Sequence, residues 1–188
     1  GYADRPEPRE NPQKVGGQLG GCRIGFDAGG SDRKVSAVID GKAVYSEEVV
    51  WHPRLHADPA YHYDGILSAL KKAAAHMPRV DGIGISSAGI FINNHTAVAS
   101  IFRAIPQADF DAHVRDIYLR AAREIGDVPV MVCNDGDVTA LAGATCFGRN
   151  ALLGIAMGTS EAAGYVDADG SLTGWLNELA FVPVDMNP

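Results

Sequence analysis

The 188-residue sequence is poor in cysteine, in net positive charge and in long apolar segments. Its three cysteines, Cys22, Cys133 and Cys146, lie far apart and form no Cys-x-x-Cys pair. This pattern argues against a disulfide framework or a cysteine zinc site and is typical of reduced thiols in a cytoplasmic protein. The formal net charge of −7 argues against general affinity for nucleic acid or anionic membranes. Because no apolar run approaches the roughly 20 residues that span a bilayer, we predict no membrane segment.

The composition along the chain predicts three regions. Residues 1–21 contain three prolines and little that could form a core, so we predict a flexible leader there. Residues 22–148 are predicted to form an N-terminal lobe. Strand-like patterns restart after Gly148, so residues 149–188 are predicted to begin a second, C-terminal lobe that looks truncated.

Hydrophobic periodicity predicts an α/β fold with elements in the order βββαβαβα, followed by the β-hairpin of a second lobe. Because helices connect the later strands, we expect those strands to pair in parallel within a mixed sheet. The predicted strands are 23–28, 34–39, 42–50, 80–86, 128–133, 152–157, 161–166 and 171–175, the predicted helices are 58–77, 109–125 and 138–147, and 87–105 is predicted as a polar loop.

A glycine turn between the first two predicted strands is the first candidate for chemistry. The strand delivers Asp27, and Gly29, Gly30 and Ser31 follow it. Backbone amides of such a turn can close on a phosphate, and the carboxylate beside them can hold a hydrated Mg²⁺. An ordinary hairpin with a Gly-Gly turn, with Asp27 as a turn residue, is the alternative.

Two further segments carry polar groups at the ends of strands. Gly158, Thr159 and Ser160 repeat the glycine-hydroxyl turn, so the two turns could grip one polyphosphate from both sides of a cleft. Asn134 and Asp135 follow the last strand of the first lobe, where parallel sheets bind ligands. Alternatively, Asn134 and Asp135 cap the helix that follows.

Five segments of the chain resemble the motifs of one protein family. These are Asp27-Ala28-Gly29-Gly30-Ser31, Gly82 to Gly89, Val132 to Leu141, Gly158-Thr159-Ser160 and Asn177 to Asp185. Their order and spacing resemble the actin-like ATPase superfold, with its ribonuclease H-like lobes, and within it the ROK family of repressors, open reading frames and sugar kinases. The resemblance implies an ATP-dependent carbohydrate kinase that phosphorylates a hexose or an N-acetylhexosamine, with a homodimer and a cytoplasmic location as further expectations.

The resemblance also implies roles for individual residues. Asp135 would be the general base, and Asn134 and Glu178 would hydrogen-bond sugar hydroxyls. ATP and Mg²⁺ are the implied cofactors. Asp27 would contact the metal, and the two glycine turns named above would contact the phosphates. By the same analogy Ser87 and Asn94 lie in a cleft-facing loop as sugar ligands, although both are better explained as ordinary loop residues. Glu178 as a plain surface carboxylate also stays open.

Some residues depart from the family pattern. Phe181 stands where the family usually has a histidine, and Ser160-Glu161-Ala162-Ala163 replaces a glycine-rich turn. The family's cysteine-rich zinc motif is missing from the 188 residues. These departures support an alternative function, a non-catalytic sugar-sensing or scaffold protein. The related N-acetylglucosamine kinase and dehydratase-activator branch is a rival enzyme class, and a DNA-binding repressor is a weaker alternative because of the charge.

Three histidines lie close together in the sequence. His52, His56 and His62 are spaced as in no common metal site. We predict solvated histidines in a loop and at a helix start.

Overall fold

The computed structural model of the chain describes residues 12–158, 161–174 and 177–179. The strands within these residues are β1 (Gln13–Lys14), β2 (Cys22–Ala28), β3 (Asp32–Ile39), β4 (Lys42–Val50), β5 (Gly82–Ser87), β6 (Ile90–Ile92), β7 (His95–Val98), β8 (Val130–Asn134), β9 (Leu152–Met157), β10 (Glu161–Val166) and β11 (Ser171–Leu172). The α-helices are α1 (Pro59–Ala74), α2 (Gln107–Asp109), α3 (Ile117–Arg123) and α4 (Asp135–Phe147). No helix of the described residues is long and apolar enough to cross a membrane.

A five-stranded mixed sheet organises the first part of the chain. Its strand order is β4-β3-β2-β5-β8, with β2 to β4 antiparallel and β2, β5 and β8 parallel. This confirms the predicted mixed sheet. Parallel strands end at the same edge, and the registers place Ala28 beside Ser87 and Ser87 beside Asn134. Three segments that are far apart in sequence therefore meet at one edge.

Helices α1 and α3 cover one face of this sheet and form the main core with it. Asp58 caps α1 by accepting a 2.9 Å hydrogen bond from the amide of Ala60, and Pro59 occupies the first turn. The largest side chains of the core are fully buried: Trp51, Ile66, Leu70, Phe102 and Tyr118. Burial of each such side chain stabilises the fold by about 1.5–3 kcal/mol.

A second sheet, of order β1-β11-β10-β9, packs on helix α4. Glycines make this approach close. A Cβ on Gly154 would lie 2.3 Å from the backbone nitrogen of Ala140, and one on Gly164 would lie 2.4 Å from the Cα of Asp137. Only residues without a side chain allow backbone to pack on backbone at this distance. The contact fixes the start of α4 against β10.

Two segments differ from their predicted secondary structure. The predicted polar loop contains the hairpin β6–β7, in which Asn93 and Asn94 form the turn at positive φ, a conformation that asparagine tolerates. The single helix predicted over 109–125 is divided by a π-helical segment, Phe110–Val114. Helical periodicity alone does not register a π-bulge, since the apolar residues still recur on one face.

Parts of two other predictions also differ. Gln13 and Lys14, within the predicted flexible leader, pair with Leu172 and Ser171 as an edge strand of the second sheet. This pairing depends on residues almost 160 positions away, so local composition could not reveal it. The predicted strand 171–175 spans Ser171–Leu172 in the described residues. The lobe boundary at residue 148 stays a prediction.

Candidate active site

Asn134 connects the two sheets at the end of β8. Its Oδ1 accepts a 2.8 Å hydrogen bond from the amide of Gly136, and so it caps α4. Its Nδ2 donates to the carbonyl of Gly89 at 2.9 Å and to Glu178 Oε1 at 3.0 Å. The capping role considered above is therefore real for Asn134, and it holds the amide where it also orients Glu178.

Glu178 is buried, with 3% of its surface exposed, and it forms a bridge with Ala162 of β10. The alternative of a surface carboxylate is therefore wrong. A buried carboxylate is costly unless it has hydrogen-bonding partners, and the amide of Asn134 is one. Glu178, which bridges to the second sheet, therefore places its carboxylate beside the end of β8 in the first sheet.

Asp135 is the first residue of α4 and lies among other acids. Burial raises its pKa above the ordinary value, and the negative charges of Glu178 and, more weakly, Asp27 raise it further. The amide of Gly136 donates a 3.1 Å hydrogen bond to Asp135 Oδ1 and opposes part of this rise. A carboxylate with a raised pKa is a stronger base, which suits a group that must accept a proton.

Asp137 belongs to the same helix start and did not enter the predicted site. Its pKa is raised to about 6: burial is the main cause and the charge of Asp135 contributes, while a 2.6 Å hydrogen bond from Asn177 Nδ2 opposes the rise. The second acid in the segment Asn134-Asp135-Gly136-Asp137 was the signal that could have identified it. Its hydrogen-bonding partner, Asn177, is the residue directly before Glu178 in the sequence.

The first glycine turn is held by Trp51. The indole Nε1 of Trp51 donates a 2.8 Å hydrogen bond to the carbonyl of Gly29, and the Trp51 amide donates to the carbonyl of Ser31 at 3.1 Å. Asp27 lies just before the turn, and its carboxylate accepts no hydrogen bond within the described residues. It is therefore available to a ligand or a hydrated cation.

Ser87 and Asn94 use their polar groups inside the fold. The Ser87 hydroxyl is fully buried, donates to the carbonyl of Ala28 at 3.2 Å and accepts from the Tyr118 hydroxyl at 3.0 Å. The Asn94 amide pairs with the free edge of β8, where Nδ2 donates to the Val130 carbonyl at 3.1 Å and Oδ1 accepts from the Val132 amide at 2.8 Å. We therefore do not carry these two residues forward as sugar ligands.

The second glycine turn is described only in part. Gly158 is exposed at the end of β9, whereas Thr159 and Ser160 lie outside the described residues. Phe181 and the rest of the segment up to Asp185 lie outside them too. The predicted phosphate contacts of Thr159 and Ser160 stay predictions.

A cavity of about 660 Å³ lies between β8, the β6–β7 hairpin and the second sheet, and its lining includes Asn134 but not Asp27, Asp135 or Glu178. This volume lies within the range that small-molecule sites use. Its polar lining includes Asn94, Asn134, Asp137 and Asn177. No group of three or more acidic, histidine or cysteine side chains arranged to hold a metal ion occurs among the described residues.

The three histidines have different environments. His62 is fully buried, and its ring nitrogens lie 3.0 Å from the carbonyl of Pro53 and 3.1 Å from that of Asp58. The prediction of a solvated histidine is therefore wrong for His62, because its ring packs edge-on against the Trp51 and Phe102 rings and lies against the Pro53 carbonyl. His56 stacks on the Tyr61 ring.

The order of the first sheet and its helices matches the fold of an actin-like ATPase lobe. The chain shares this fold with structures of ROK-family proteins. It is similar to an inorganic polyphosphate/ATP-glucomannokinase from Arthrobacter sp. strain KM, with a TM-score of 0.65 and 20% identity over 88% of this chain and 65% of that one.

Two ROK structures show the same likeness. A ROK hexokinase from Thermus thermophilus matches with a TM-score of 0.61 and 18% identity, over 87% of this chain and 53% of that one. A ROK-family transcriptional regulator homologous to the Escherichia coli MLC protein matches with a TM-score of 0.58 and 18% identity, over 89% and 43%. No protein-family model and no curated protein matches the sequence. The chain spans less than two thirds of the length of these structures, and the likeness establishes the fold.

Proposed function

We propose that this chain carries the acceptor site and the first phosphate turn of a ROK-type sugar kinase. The reaction would move the γ-phosphoryl group of ATP to a hydroxyl of a hexose or N-acetylhexosamine. The observation that carries the proposal is the position of Asp135, a half-buried carboxylate with a raised pKa at the helix start, beside the linked pair Asn134 and Glu178. Sugar phosphorylation needs such a base together with groups that orient the hydroxyl.

In this proposal each side chain has a defined step. Glu178 hydrogen-bonds sugar hydroxyls, and Asn134, whose two amide N–H groups bond Gly89 and Glu178, keeps Glu178 in position. Asp135 accepts the proton of the attacking hydroxyl, the sugar oxygen forms a bond to the γ-phosphorus, and the bond to the β-phosphate oxygen breaks, leaving ADP. The raised pKa of Asp135 favours its role as proton acceptor.

The residues at the first turn fit the implied cofactors. Asp27 offers a carboxylate without a hydrogen-bonding partner in the described part of the chain, which is the ligand type that a hydrated Mg²⁺ takes. Gly29, Gly30 and Ser31 would meet the phosphates of ATP with their backbone amides. When bound, Mg²⁺ supplies charge neutralisation on the phosphates.

The variant Asp135→Asn tests the catalytic role. We expect sugar-dependent ADP release to fall by about 100-fold or more, because the amide cannot accept the hydroxyl proton. Sugar affinity, measured by calorimetry, should change little because the group acts mainly in the transition state. Asp127→Asn, at an exposed loop position, is the matched control.

Two results would contradict this assignment. Equal ADP release by Asp135→Asn and the parent chain would remove Asp135 from the base role. Failure of the well-folded parent chain to bind either a sugar or MgATP would instead support the non-catalytic scaffold alternative, for which Phe181 in place of the usual histidine is the sequence argument.

A further inference from the structure

Arg54 lies against the first glycine turn, although it is 23 residues away from Ser31 in the sequence. It belongs to the short 3₁₀ helix Pro53–Leu55. A Cβ built on Gly30 would be 2.7 Å from Arg54 Nη2 and 3.3 Å from its Cζ. The guanidinium therefore occupies the space directly beside the backbone of Gly30.

The backbone that carries Arg54 is anchored on both sides. Trp51, three residues earlier, is buried and donates hydrogen bonds to the carbonyls of Gly29 and Ser31. His62 of α1 contacts the carbonyl of Pro53 at 3.0 Å, and its ring lies edge-on to the Trp51 ring at 6.3 Å. Because Trp51 and His62 are buried, the 3₁₀ helix and the glycine turn are held as one unit. A cation on such a unit is preorganised for a ligand.

The charge of Arg54 is left without a partner, whereas neighbouring cations are engaged. Arg54 makes no hydrogen bond or ion pair within the described residues. Lys34 pairs with Asp32, and Arg33 lies over the Trp51 ring at 5.5 Å. A half-buried guanidinium has five N–H donors, and none of Arg54's is used here. Such a group beside a glycine turn attracts an anion.

We propose that Arg54 and the Gly29–Ser31 turn together form a binding site for the phosphate chain of the phosphoryl donor. The guanidinium would hydrogen-bond phosphate oxygens in the planar, two-point manner that arginine favours, while the turn offers backbone amides. The inference deepens the proposed function and rests on it, because the bound phosphate chain is a phosphoryl donor only if the protein is a kinase. The chemistry is shared by a nucleoside triphosphate and by inorganic polyphosphate.

Calorimetry with inorganic tripolyphosphate in the presence of Mg²⁺ tests this site, with MgATP titrated in a second arm. We expect Arg54→Gln to weaken tripolyphosphate binding roughly tenfold to a hundredfold, the usual effect of removing a hydrogen-bonded charge. Arg123→Gln is the control, because Arg123 is exposed at the end of α3, just before β8 begins at the opposite edge of the sheet. Arg54→Lys, which keeps the charge but loses the planar group, should bind with intermediate affinity.

Further readouts separate binding from a structural effect. Arg54→Gln should keep the melting temperature and the sugar affinity of the parent chain, and its tripolyphosphate affinity should depend less on salt. Gly30→Ala should also weaken binding, since the new methyl group displaces the guanidinium. If it acts through Arg54, the double variant loses little more than Arg54→Gln alone.

The outcomes distinguish this inference from the proposed function. No tripolyphosphate binding by the parent chain, or equal affinity in Arg54→Gln and Arg123→Gln, would overturn the phosphate site even where sugar binds. Selective loss in Arg54→Gln without any sugar binding would establish the phosphate site and reject the sugar kinase. Equal losses for tripolyphosphate and ATP point to the shared phosphates, and a loss confined to tripolyphosphate points to inorganic polyphosphate as the donor.

Discussion

Single side chains at the start of α4 combine structural and chemical roles. Asn134 caps the helix with its oxygen and holds Glu178 with its nitrogen. Asp135 and Asp137 follow within the first helical turn, where the positive end of the helix dipole favours acids. Burial works against that charge and raises the pKa of both. The helix start therefore gathers carboxyl groups that are more basic than exposed ones.

Asp137 should make stability depend on pH. Its pKa of about 6 in the folded chain lies above the ordinary value of 3.8, so the folded state binds the proton more tightly than the unfolded state. The contribution of Asp137 to stability should therefore decrease by roughly 3 kcal/mol as the pH rises from about 4 through about 6, and then level off. Asp135, whose pKa is also raised, adds to the same trend.

The variant Asp137→Asn checks this trend by denaturant unfolding at several pH values. Asparagine keeps an oxygen that accepts from Asn177 but cannot ionise, so we expect a smaller fall in unfolding free energy between about pH 4 and pH 7. Asp127→Asn, at an exposed position, should keep the slope of the parent chain. An unchanged slope in Asp137→Asn would mean that Asp137 has an ordinary pKa.

At the scale of elements, the structure depends on how α4 and the hairpin β6–β7 meet their sheets. Helix α4 follows a strand of the first sheet and packs on β9 and β10 of the second. Hairpin β6–β7 places Asn94 on the free edge of β8. An edge strand presents unpaired amides and carbonyls, and here a side-chain amide satisfies two of them.

The variant Gly154→Ala should destabilise the packing of α4. The new methyl group would lie 2.3 Å from the backbone nitrogen of Ala140, and overpacking of this kind costs about 1–3 kcal/mol. Thermal or denaturant unfolding measures the loss. Gly25→Ala is the control, since Gly25 also lies in a strand and nothing lies within 4 Å of an added Cβ. Similar stability of the two variants would contradict the close contact.

The variant Asn94→Gly should weaken the edge of β8. Glycine tolerates the positive φ of this turn but removes the amide that bonds Val130 and Val132, and an unsatisfied pair of this kind costs about 1–3 kcal/mol. Asn93→Gly, at the neighbouring turn position, controls for the added flexibility of glycine. Faster hydrogen exchange at the Val132 amide in Asn94→Gly alone would support the structural role. A loss of sugar affinity at unchanged stability would instead indicate that Asn94 binds the sugar.

At the scale of the whole molecule, the candidate site joins residues of both sheets. Asn134 ends a strand of the first sheet, and Glu178 bridges to a strand of the second. A sugar bound at this linked pair should therefore stabilise the whole described chain. The net charge of −7 suits a neutral sugar ligand better than nucleic acid.

Common hexoses and N-acetylhexosamines should raise the melting temperature of the chain. A ligand at roughly 100 times its dissociation constant adds about 2.7 kcal/mol to the unfolding free energy. Glu178→Gln, which keeps an acceptor for Asn134 but loses the charge, should reduce both the shift and the calorimetric affinity. A full shift in Glu178→Gln would place the sugar away from this pair.

Local sequence patterns determined much of the fold. The apolar periodicity identified the main strands, and the Asp58-Pro59 pair identified the start of α1. The position of Asn134 at the end of a strand predicted one residue of the candidate site. These features depend on neighbours within a few residues, through side-chain alternation, capping and backbone freedom. The π-helical segment Phe110–Val114 and the pairing of Gln13–Lys14 were not predicted, since neither leaves a distinct local pattern.

Only the tertiary structure decided which distant groups meet. Asn134 contacts Glu178 across 44 positions, Asn94 completes the edge of β8, and Arg54 lies against Gly30. Likewise, the sequence alone could not distinguish a buried His62 from a solvated one. Each of these contacts depends on how whole elements pack against one another, and close packing is a property of the assembled chain rather than of any segment. The sequence therefore indicated which reactive side chains are present. Their positions relative to one another depend on how the two sheets pack around α4.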